Sequence, residues 1–256
     1  MFESAATLIG HRGLGKGVVL GHQENSLDSF PAAVQCGLTW VEVDVRRTRD
    51  DELVVAHDPA LHDGTALSDV LADEAEERGL LRLSDLLEAL PTSAGVLFDI
   101  KSAMADALRP PQSTTASLLA PVAARESRRR PVVATSFDAA AVQQVRAAAP
   151  RLPIGLLTWL HHPVELAVAA AAHLDVQMLS LHAGSLWPNR SGKPCHLPPL
   201  EHVLAVVHDS GRELLVWCPT DEQARQLTAV GVDALIFDDV PRRLPEVADR
   251  TADGGR

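Results

Sequence analysis

The chain lacks tyrosine entirely and has only three cysteines, Cys36, Cys195 and Cys218, in 256 residues. We interpret the missing tyrosine as compositional bias without functional meaning. The cysteines are odd in number and do not have the spacing of a metal-binding motif. This excludes a disulfide framework and favours reduced thiols in a reducing compartment. We expect Cys218 to be buried and inert.

The sequence also lacks long apolar runs and an excess of basic residues. No run approaches the roughly 18 residues of a membrane span, and Met1-Phe2-Glu3-Ser4 has no basic n-region of a secretory signal. The 23 lysines and arginines are outnumbered by 34 acidic residues, for a net charge of −11. This balance argues against nucleic acid or an anionic membrane as a nonspecific partner. We therefore expect a cytoplasmic protein without stable membrane insertion, in which a local cationic pocket is still allowed.

Short strand-like runs alternate with amphipathic segments, the pattern of βα units around a parallel sheet. Eight strands are predicted, at residues 7–10, 39–45, 95–100, 132–135, 154–157, 176–181, 213–217 and 234–237. The sequence therefore predicts an α/β fold, a (β/α)8 TIM barrel, and its length is normal for that fold. Ser26 is predicted to cap the helix after the first strand. We expect one domain over residues 1–248 and a disordered tail over residues 249–256.

The first quarter of the chain combines two histidine-containing turns with an acidic strand. His11 follows the first predicted strand, Glu42 and Asp44 alternate in the second, and His57 follows a short extra strand at residues 53–56. Alternate side chains of a strand point to the same face, so the two carboxylates converge and repel each other unless a cation lies between them. Their oxygens suit a hard divalent ion such as Mg²⁺ or Ca²⁺. Histidines beside such an ion indicate acid–base chemistry.

Short polar motifs stand at the predicted strand ends, where the active sites of parallel barrels lie. They are His11-Arg12-Gly13, Glu24-Asn25-Ser26, Glu42-Val43-Asp44-Val45, His57-Asp58 and Asp99-Ile100-Lys101, and, nearer the C-terminus, Trp217-Cys218-Pro219-Thr220 and residues 231–241. Further strand-end residues are Ser136, His182 and Asp238. In order and spacing the motifs resemble those of the glycerophosphodiester phosphodiesterase family, over nearly the whole chain.

This resemblance implies a particular site and reaction. It implies a barrel fold, catalytic histidines at His11 and His57, and a divalent cation, Mg²⁺ or Ca²⁺, held by Glu42, Asp44 and Asp99. The partner would be a small-molecule phosphodiester, hydrolysed to glycerol phosphate and an alcohol. By analogy with the family, a neighbouring glycerol hydroxyl could attack first and give a cyclic phosphate.

Four more residues are candidate substrate contacts: Arg12, Lys101, Trp217 and His182. Arg12 and Lys101 could both be ordinary ion-pair partners of Glu24, Asp44 or Asp99. The family pattern implies that Lys101 contacts phosphate, and we expect Arg12 to be structural. Trp217 either fills the barrel mouth or packs against the carbon skeleton of the substrate. His182 ends the sixth predicted strand and could touch substrate there.

Some features depart from the family pattern and leave alternatives open. Asp99 stands where the family usually has glutamate, and only 41 residues separate it from His57, so the insertion after the second strand is reduced. These departures resemble sphingomyelinase D-like enzymes, so the alternative is a sphingomyelinase D-like or lysophospholipase D-like phosphodiesterase acting on a lipid. A noncatalytic barrel that binds a phosphorylated metabolite or a partner protein is a further alternative. A nucleotide-binding loop at residues 10–16 is disfavoured, because Gly17 replaces the required serine or threonine.

Overall fold

The computed structural model, which describes residues 1–2, 6–187 and 197–240, contains a closed barrel of eight parallel strands. The strands are Thr7–Gly10, Trp40–Arg47, Gly95–Ile100, Val132–Ser136, Ile154–Leu157, Met178–His182, Glu213–Trp217 and Ala234–Phe237. Each strand is hydrogen-bonded to the next along the chain, and the first strand pairs with both the second and the eighth. These pairings close the barrel, and the predicted (β/α)8 fold is confirmed.

A helix follows each of the first seven strands. In the described part of the chain these helices are Ser29–Gln35, Leu83–Ala89, Thr115–Glu126, Ala139–Ala148, Val164–His173, Leu200–Asp209 and Asp221–Val230. Side-chain caps fix some of the helix starts: Thr114 accepts a backbone N–H of its first turn, and Thr220 forms a reciprocal capping box with Gln223. The predicted cap at Ser26 is wrong. The helix begins at Ser29, and the Ser26 hydroxyl accepts the Ser29 N–H from within the preceding turn.

Alternation along each strand directs one set of side chains into the barrel and the other towards the helices. The apolar interior consists of Ile9, Trp40, Leu97, Val133, Met178, Leu215, Ala234 and Ile236. Trp40 fits because Gly95 on the neighbouring strand has no side chain; a Cβ there would lie 2.4 Å from the indole. Glu42 and Asp44 follow Trp40 on the same face of the strand. The alternation that buries the tryptophan therefore also buries the two carboxylates at the upper end of the interior.

The second barrel strand is longer than its neighbours and supports a small antiparallel extension. Leu53–Val55 pairs with its end, and Leu81–Arg82 pairs with Leu53–Val55. The reduced insertion between these two strands contains the short helix Ala72–Glu77. The extension brings His57 over the carboxyl end of the barrel. Both Leu81–Arg82 and a small hairpin at residues 18–23 are absent from the sequence prediction, because strands of two residues carry no periodicity.

The expectations about membrane insertion and about the C-terminal tail can be compared with the described residues only in part. Among the helices of the described residues, none is both long and apolar enough to cross a bilayer. The predicted tail over residues 249–256 and the domain limit at residue 248 lie outside the described residues. The cytoplasmic location and the assignment of one domain stay predictions.

Candidate active site

A cavity of about 400 Å³ opens at the carboxyl ends of the barrel strands. Most of the predicted site residues line it: His11, Arg12, Glu42, His57, Asp99, Lys101 and Trp217. Asp44 lies just behind this lining, where Lys101 and Arg12 cover it. His182 also lies behind the lining, with its ring edge-on to Trp217 at a centroid distance of 4.4 Å. The structure therefore brings the predicted residues together, with His182 one layer further back.

Glu42, Asp44 and Asp99 form a buried carboxylate cluster. One oxygen of each lies within 4.8 Å of the others, and the three residues are 3%, 0% and 6% exposed. Glu42 Oε1, Asp44 Oδ1 and Asp99 Oδ1 have no hydrogen-bond partner. Buried acceptors without a partner are costly, and three carboxylate oxygens converging in this way fit a hard divalent cation. The residues present therefore match the predicted cation site in chemistry and in position.

Positive side chains surround Asp44 in particular. The Lys101 ammonium lies 3.0 Å from Asp44 Oδ1, outside good hydrogen-bond geometry, and is hydrogen-bonded to Asp99. Arg12 Nε lies 3.2 Å from Asp44 Oδ2, which also accepts a hydrogen bond of 3.0 Å from the Asn25 amide. The guanidinium of Arg12 further pairs with Glu24. Lys101 and Arg12 thus serve as ion-pair partners here, while both still face the cavity.

The three carboxylates differ in their affinity for protons. Burial, with repulsion from Asp44, raises the pKa of Glu42 to about 8. Burial also raises the pKa of Asp99, to about 6, against the opposing effect of Lys101. Burial acts in the same direction on Asp44, but Lys101 and Arg12 outweigh it and hold its pKa below the usual value. The carboxylate charge of the cluster is therefore only partly balanced by its own side chains.

His11 is held by Asp238, at the end of the eighth strand. Its Nδ1 lies 2.5 Å from Asp238 Oδ1, and its Nε2 lies 3.9 Å from Glu42 Oε2. Burial lowers the pKa of His11, but the hydrogen bond to Asp238 and the charge of Glu42 outweigh it and raise the pKa to about 10. The sequence places Asp238 at a strand end without indicating a role for it. Its contact with His11 spans 227 residues and forms because the first and eighth strands are neighbours.

His57 has a more open environment at the end of Leu53–Val55. Its Nδ1 lies 2.8 Å from Asp58 Oδ1, and its side chain is 42% exposed. Burial lowers the pKa of His57, and the attraction of Asp44 reduces this effect without reversing it. Arg46 donates two hydrogen bonds to the His57 carbonyl and so fixes the backbone of the turn. The two predicted histidines therefore face one cavity with pKa values shifted in opposite directions.

Cys218 differs from the sequence expectation that it is buried and inert. The residue is partly exposed, and its thiol lies beside His11 and Asp238. A sulfur, an imidazole nitrogen and a carboxylate oxygen are thereby grouped within 4.8 Å of one another. The prediction of burial is wrong because the chain turns at Cys218 with a positive φ of 52° and leaves the seventh strand there.

Aromatic side chains also line the cavity. Phe137 stacks on Trp159 with ring centroids 4.1 Å apart, and Trp217 meets Phe137 edge-on at 5.8 Å. Trp217 Nε1 is buried without a hydrogen-bond partner, whereas Trp159 is 65% exposed at the cavity mouth. Phe137 and Trp159 have no part in the sequence prediction, because they come from separate loops that carry no polar motif. We refer to Phe137, Trp159 and Trp217 as the aromatic wall.

A closed parallel barrel with buried carboxylates and histidines around a cavity at its strand ends defines the class of (β/α)8-barrel proteins with an enzyme-like site. The sequence model of the glycerophosphoryl diester phosphodiesterase family matches residues 11–242. The chain therefore belongs to this family, and the family resemblance inferred from the motifs is confirmed.

Curated relatives match shorter segments of the chain. A protein of Mycobacterium tuberculosis named "Probable glycerophosphodiester phosphodiesterase 2" is 36% identical over 91 residues, which are 32% of this chain and 34% of that protein. The glycerophosphocholine phosphodiesterase GDE1 of Candida albicans is 47% identical over 55 residues, 20% of this chain. The chain spans 34% of the first relative's length and 5% of the second's.

Solved structures share the fold over almost the whole chain. A glycerophosphodiester phosphodiesterase from Parabacteroides distasonis superposes with a TM-score of 0.74 at 22% identity, covering 97% of this chain and 99% of its own. A phosphodiesterase from Oleispira antarctica, solved with the product sn-glycerol-3-phosphate, gives a TM-score of 0.72 at 20% identity and covers 96% and 97%. At these sequence identities, the two structural similarities show a shared fold and nothing more.

Proposed function

We propose that the protein hydrolyses a glycerophosphodiester to glycerol phosphate and an alcohol, with the help of a divalent cation and two histidines. The observation that carries this proposal is the convergence, in one cavity, of His11 and His57 with carboxylate oxygens that lack hydrogen-bond partners. Membership of the family supports the choice of reaction. The small-molecule product bound to the Oleispira antarctica protein supports the choice of substrate class.

Glu42, Asp44 and Asp99 are the residues that would hold the cation. A hard ion such as Mg²⁺ or Ca²⁺ would supply Lewis-acid activation of a nonbridging phosphate oxygen. Lys101 stands at the boundary between this cluster and the cavity, so its ammonium can neutralise phosphate charge on the cavity side. Arg12 orients the cluster, since its backbone N–H donates to Glu42 Oε2 at 2.9 Å and its guanidinium faces Asp44.

The surroundings of the two histidines favour different roles. His57 directs Nδ1 at Asp58, so its neutral tautomer leaves Nε2 free to accept a proton as general base. His11 directs Nδ1 at Asp238, which stabilises the imidazolium and leaves Nε2–H as general acid for the leaving oxygen. A cation at Glu42 would oppose the imidazolium charge, so the contact with Asp238 is the feature that retains the proton.

The nucleophile in this scheme is the substrate's own vicinal hydroxyl. The two serines of the described cavity lining are engaged elsewhere: the Ser102 hydroxyl donates to Asp138 and the Ser136 hydroxyl to the Ile100 carbonyl. Intramolecular attack by a well-placed hydroxyl reaches effective molarities of about 10⁵ M or more, which favours a cyclic phosphate over direct attack by water. Water then opens the ring in a second step.

A second candidate substrate is a lysophospholipid or sphingomyelin, as in the lipid-specific alternative. The observation that favours it is the exposure of apolar side chains on loops that follow barrel strands, at the same end as the cavity. These residues are Val18, Leu20, Leu27, Met104, Leu108, Trp159 and Leu160. Trp159 belongs both to this exposed set and to the aromatic wall, so an acyl chain leaving the cavity would pass it.

Assays on four diesters with Mg²⁺ or Ca²⁺ test the proposal. We expect turnover of glycerophosphocholine or glycerophosphoethanolamine, with phosphorus NMR detecting a cyclic phosphate and with a much slower reaction when the vicinal hydroxyl is removed. Faster turnover of lysophosphatidylcholine or sphingomyelin would select the lipid alternative. Binding of glycerol 3-phosphate without turnover of any diester would favour the alternative of a noncatalytic barrel. Equal rates for the deoxy analogue and its parent would eliminate the cyclic route.

A further inference from the structure

Three side chains from neighbouring strand ends form a ligand group of mixed chemistry. His11 follows the first strand, Cys218 the seventh and Asp238 the eighth, and these strands are adjacent in the barrel. One nitrogen, sulfur or oxygen atom of each lies within 4.8 Å of the other two. His11 Nδ1 and Asp238 Oδ1 are 2.5 Å apart, and all three residues are partly exposed. An ion from solvent can therefore reach this group, which we name the N/S/O cluster.

The donor atoms of the N/S/O cluster select a different class of metal from the carboxylate cluster. Glu42, Asp44 and Asp99 offer oxygen only, which suits Mg²⁺ or Ca²⁺. Imidazole and thiolate suit Zn²⁺ and related ions, which commonly take three protein ligands and keep a fourth position open. Around such an ion the ligand atoms lie roughly 3 to 4 Å apart, given metal–ligand bonds of about 2.0 to 2.3 Å. Small side-chain rotations of His11, Cys218 and Asp238 would reach that spacing.

We propose that His11, Cys218 and Asp238 bind a thiophilic divalent ion of the Zn²⁺ class, and that this ion inhibits the enzyme. Coordination through Nδ1 replaces the hydrogen bond to Asp238 and releases the protons of the imidazole and the thiol to solvent. His11 is then fixed as a neutral metal ligand and can no longer serve as proton donor. The binding of the ion stands on the geometry alone, whereas the inhibition rests on the proposed function.

The binding step is tested in a protein whose single thiol is Cys218. Cys36→Ser and Cys195→Ser together remove the other two cysteines of the sequence. Cd²⁺ is added in the presence of saturating Mg²⁺, and the ultraviolet charge-transfer band of the cadmium thiolate is recorded. We expect a band that saturates at one equivalent of Cd²⁺ and is lost on adding Cys218→Ser. An absent band, or a band that survives Cys218→Ser, overturns the site.

The inhibition step is tested with Zn²⁺ on the diester that the protein turns over best. We expect inhibition that excess Mg²⁺ does not relieve, because the two metals occupy different ligand groups. Cys218→Ser should raise the half-inhibitory Zn²⁺ concentration at least about tenfold, measured against that variant's own zinc-free rate, since even the loss of groups behind a ligand costs about 10- to 100-fold in metal affinity. Cys36→Ser is the matched control and should not change it.

Two outcomes would overturn the inhibitory role. Full relief by Mg²⁺ would mean that Zn²⁺ competes for the carboxylate cluster, and equal inhibition of Cys218→Ser would mean that the thiol is not a ligand. Failure of the proposed function is distinguishable from both. Even if the protein had no activity on any diester, the cadmium thiolate band would still show whether the ion binds.

Discussion

The two sides of the cavity differ in chemistry and in how tightly their side chains are held. One side, which we call the charged wall, comes from the ends of the first three strands and the eighth, and its members are His11, Glu42, Asp44, Asp99, Lys101 and Asp238. The other is the aromatic wall, in which Phe137 and Trp159 lie in the loops after the fourth and fifth strands and Trp217 ends the seventh strand. Side chains of the charged wall are mostly buried, and each is held by at least one ion pair or hydrogen bond with a polar partner. Those of the aromatic wall are held by ring packing, and the Lys101 ammonium lies 5.4 Å from the centroid of the Phe137 ring.

This difference predicts that the charged wall serves the chemical step and that the aromatic wall serves substrate recognition. A buried charge with fixed partners cannot be removed without leaving another charge uncompensated, so substitutions there should lower kcat and often stability as well. An aromatic ring that packs at a cavity mouth contributes contact area, which a smaller side chain loses only in part. Substitutions in the aromatic wall should therefore change KM and substrate preference more than kcat. The predictions below test this division, from the largest expected effect to the smallest.

Among the changes to the charged wall, removal of the cation should cause the largest loss of turnover. Exhaustive chelation is expected to lower turnover by about a thousandfold or more, because a Lewis-acid ion is worth several kcal/mol of transition-state stabilisation. Added Mg²⁺ or Ca²⁺ should restore the rate. Asp99→Glu, which restores the residue usual in the family, should lower the metal concentration needed for half-activation. Full turnover with no metal retained, by elemental analysis of the chelated protein, would rule the cation site out.

Loss of either histidine should be nearly as damaging. His11→Ala and His57→Ala are each expected to lower kcat by at least about a hundredfold, since each removes one proton-transfer group. His173→Ala, on the exposed end of the helix Val164–His173, is the matched control and should leave kcat unchanged. Thermal unfolding should remain a single cooperative transition for all three, which checks that each variant is folded. If either His11→Ala or His57→Ala kept its rate while folded, the two-histidine mechanism would be wrong.

The strands and most of the charged wall could be predicted from the sequence because both depend on local pattern. An apolar run such as Val41, Val43 and Val45 identifies a strand, and the intervening carboxylates then share its interior face. The prediction of a cap at Ser26 is wrong for a reason that is also local. Asn25 adopts a left-handed backbone with φ of 57°, and the helix begins only after the resulting turn, at Ser29. Asparagine is enriched in the left-handed region, but most asparagines lie outside it, so the residue type alone does not predict this turn.

Contacts that depend on closure of the barrel could not be predicted. The pairing of His11 with Asp238 and Cys218 requires the first strand to lie beside the eighth. The aromatic wall requires the loops that carry Phe137 and Trp159 to meet the strand end at Trp217, and only Trp217 belongs to a motif recognised in the sequence. The sequence does suggest Asp44 or Asp99 as an ion-pair partner of Lys101, but the contact with both at once depends on the register in which these two residues oppose each other.

Within the charged wall, substitution of Asp238 should have a smaller and more selective effect on kcat. Asp238→Asn should lower kcat by about tenfold, because a partner that orients a functional histidine is typically worth 10- to 100-fold. The variant removes the charge that raises the pKa of His11. A lower pKa means that the proton on Nε2 is lost at lower pH, so the alkaline limb of the kcat profile should move towards neutrality. An unchanged limb, with kcat merely reduced, would show that Asp238 does not act through the protonation of His11.

The smallest effect should come from the exposed edge of the aromatic wall. Trp159 is 65% exposed at the cavity mouth and stacks on Phe137. Trp159→Ala removes one stacking surface and should raise KM for glycerophosphocholine only about two- to fivefold, a fraction of the roughly 0.5 to 1.5 kcal/mol that an aromatic pair contributes. The value of kcat should not change, since no proton donor or carboxylate moves.

The same substitution separates the two candidate substrates. A lysophospholipid carries an acyl chain past Trp159, so its KM should rise several-fold more than that of glycerophosphocholine if the exposed apolar side chains contact the chain. Leu166→Ala is the matched control, because Leu166 is also 60% exposed but lies on the outer helix Val164–His173. Equal increases for both substrates would mean that Trp159 contacts only the head-group region. A lower kcat for glycerophosphocholine in Trp159→Ala would show that the two walls of the cavity are not independent.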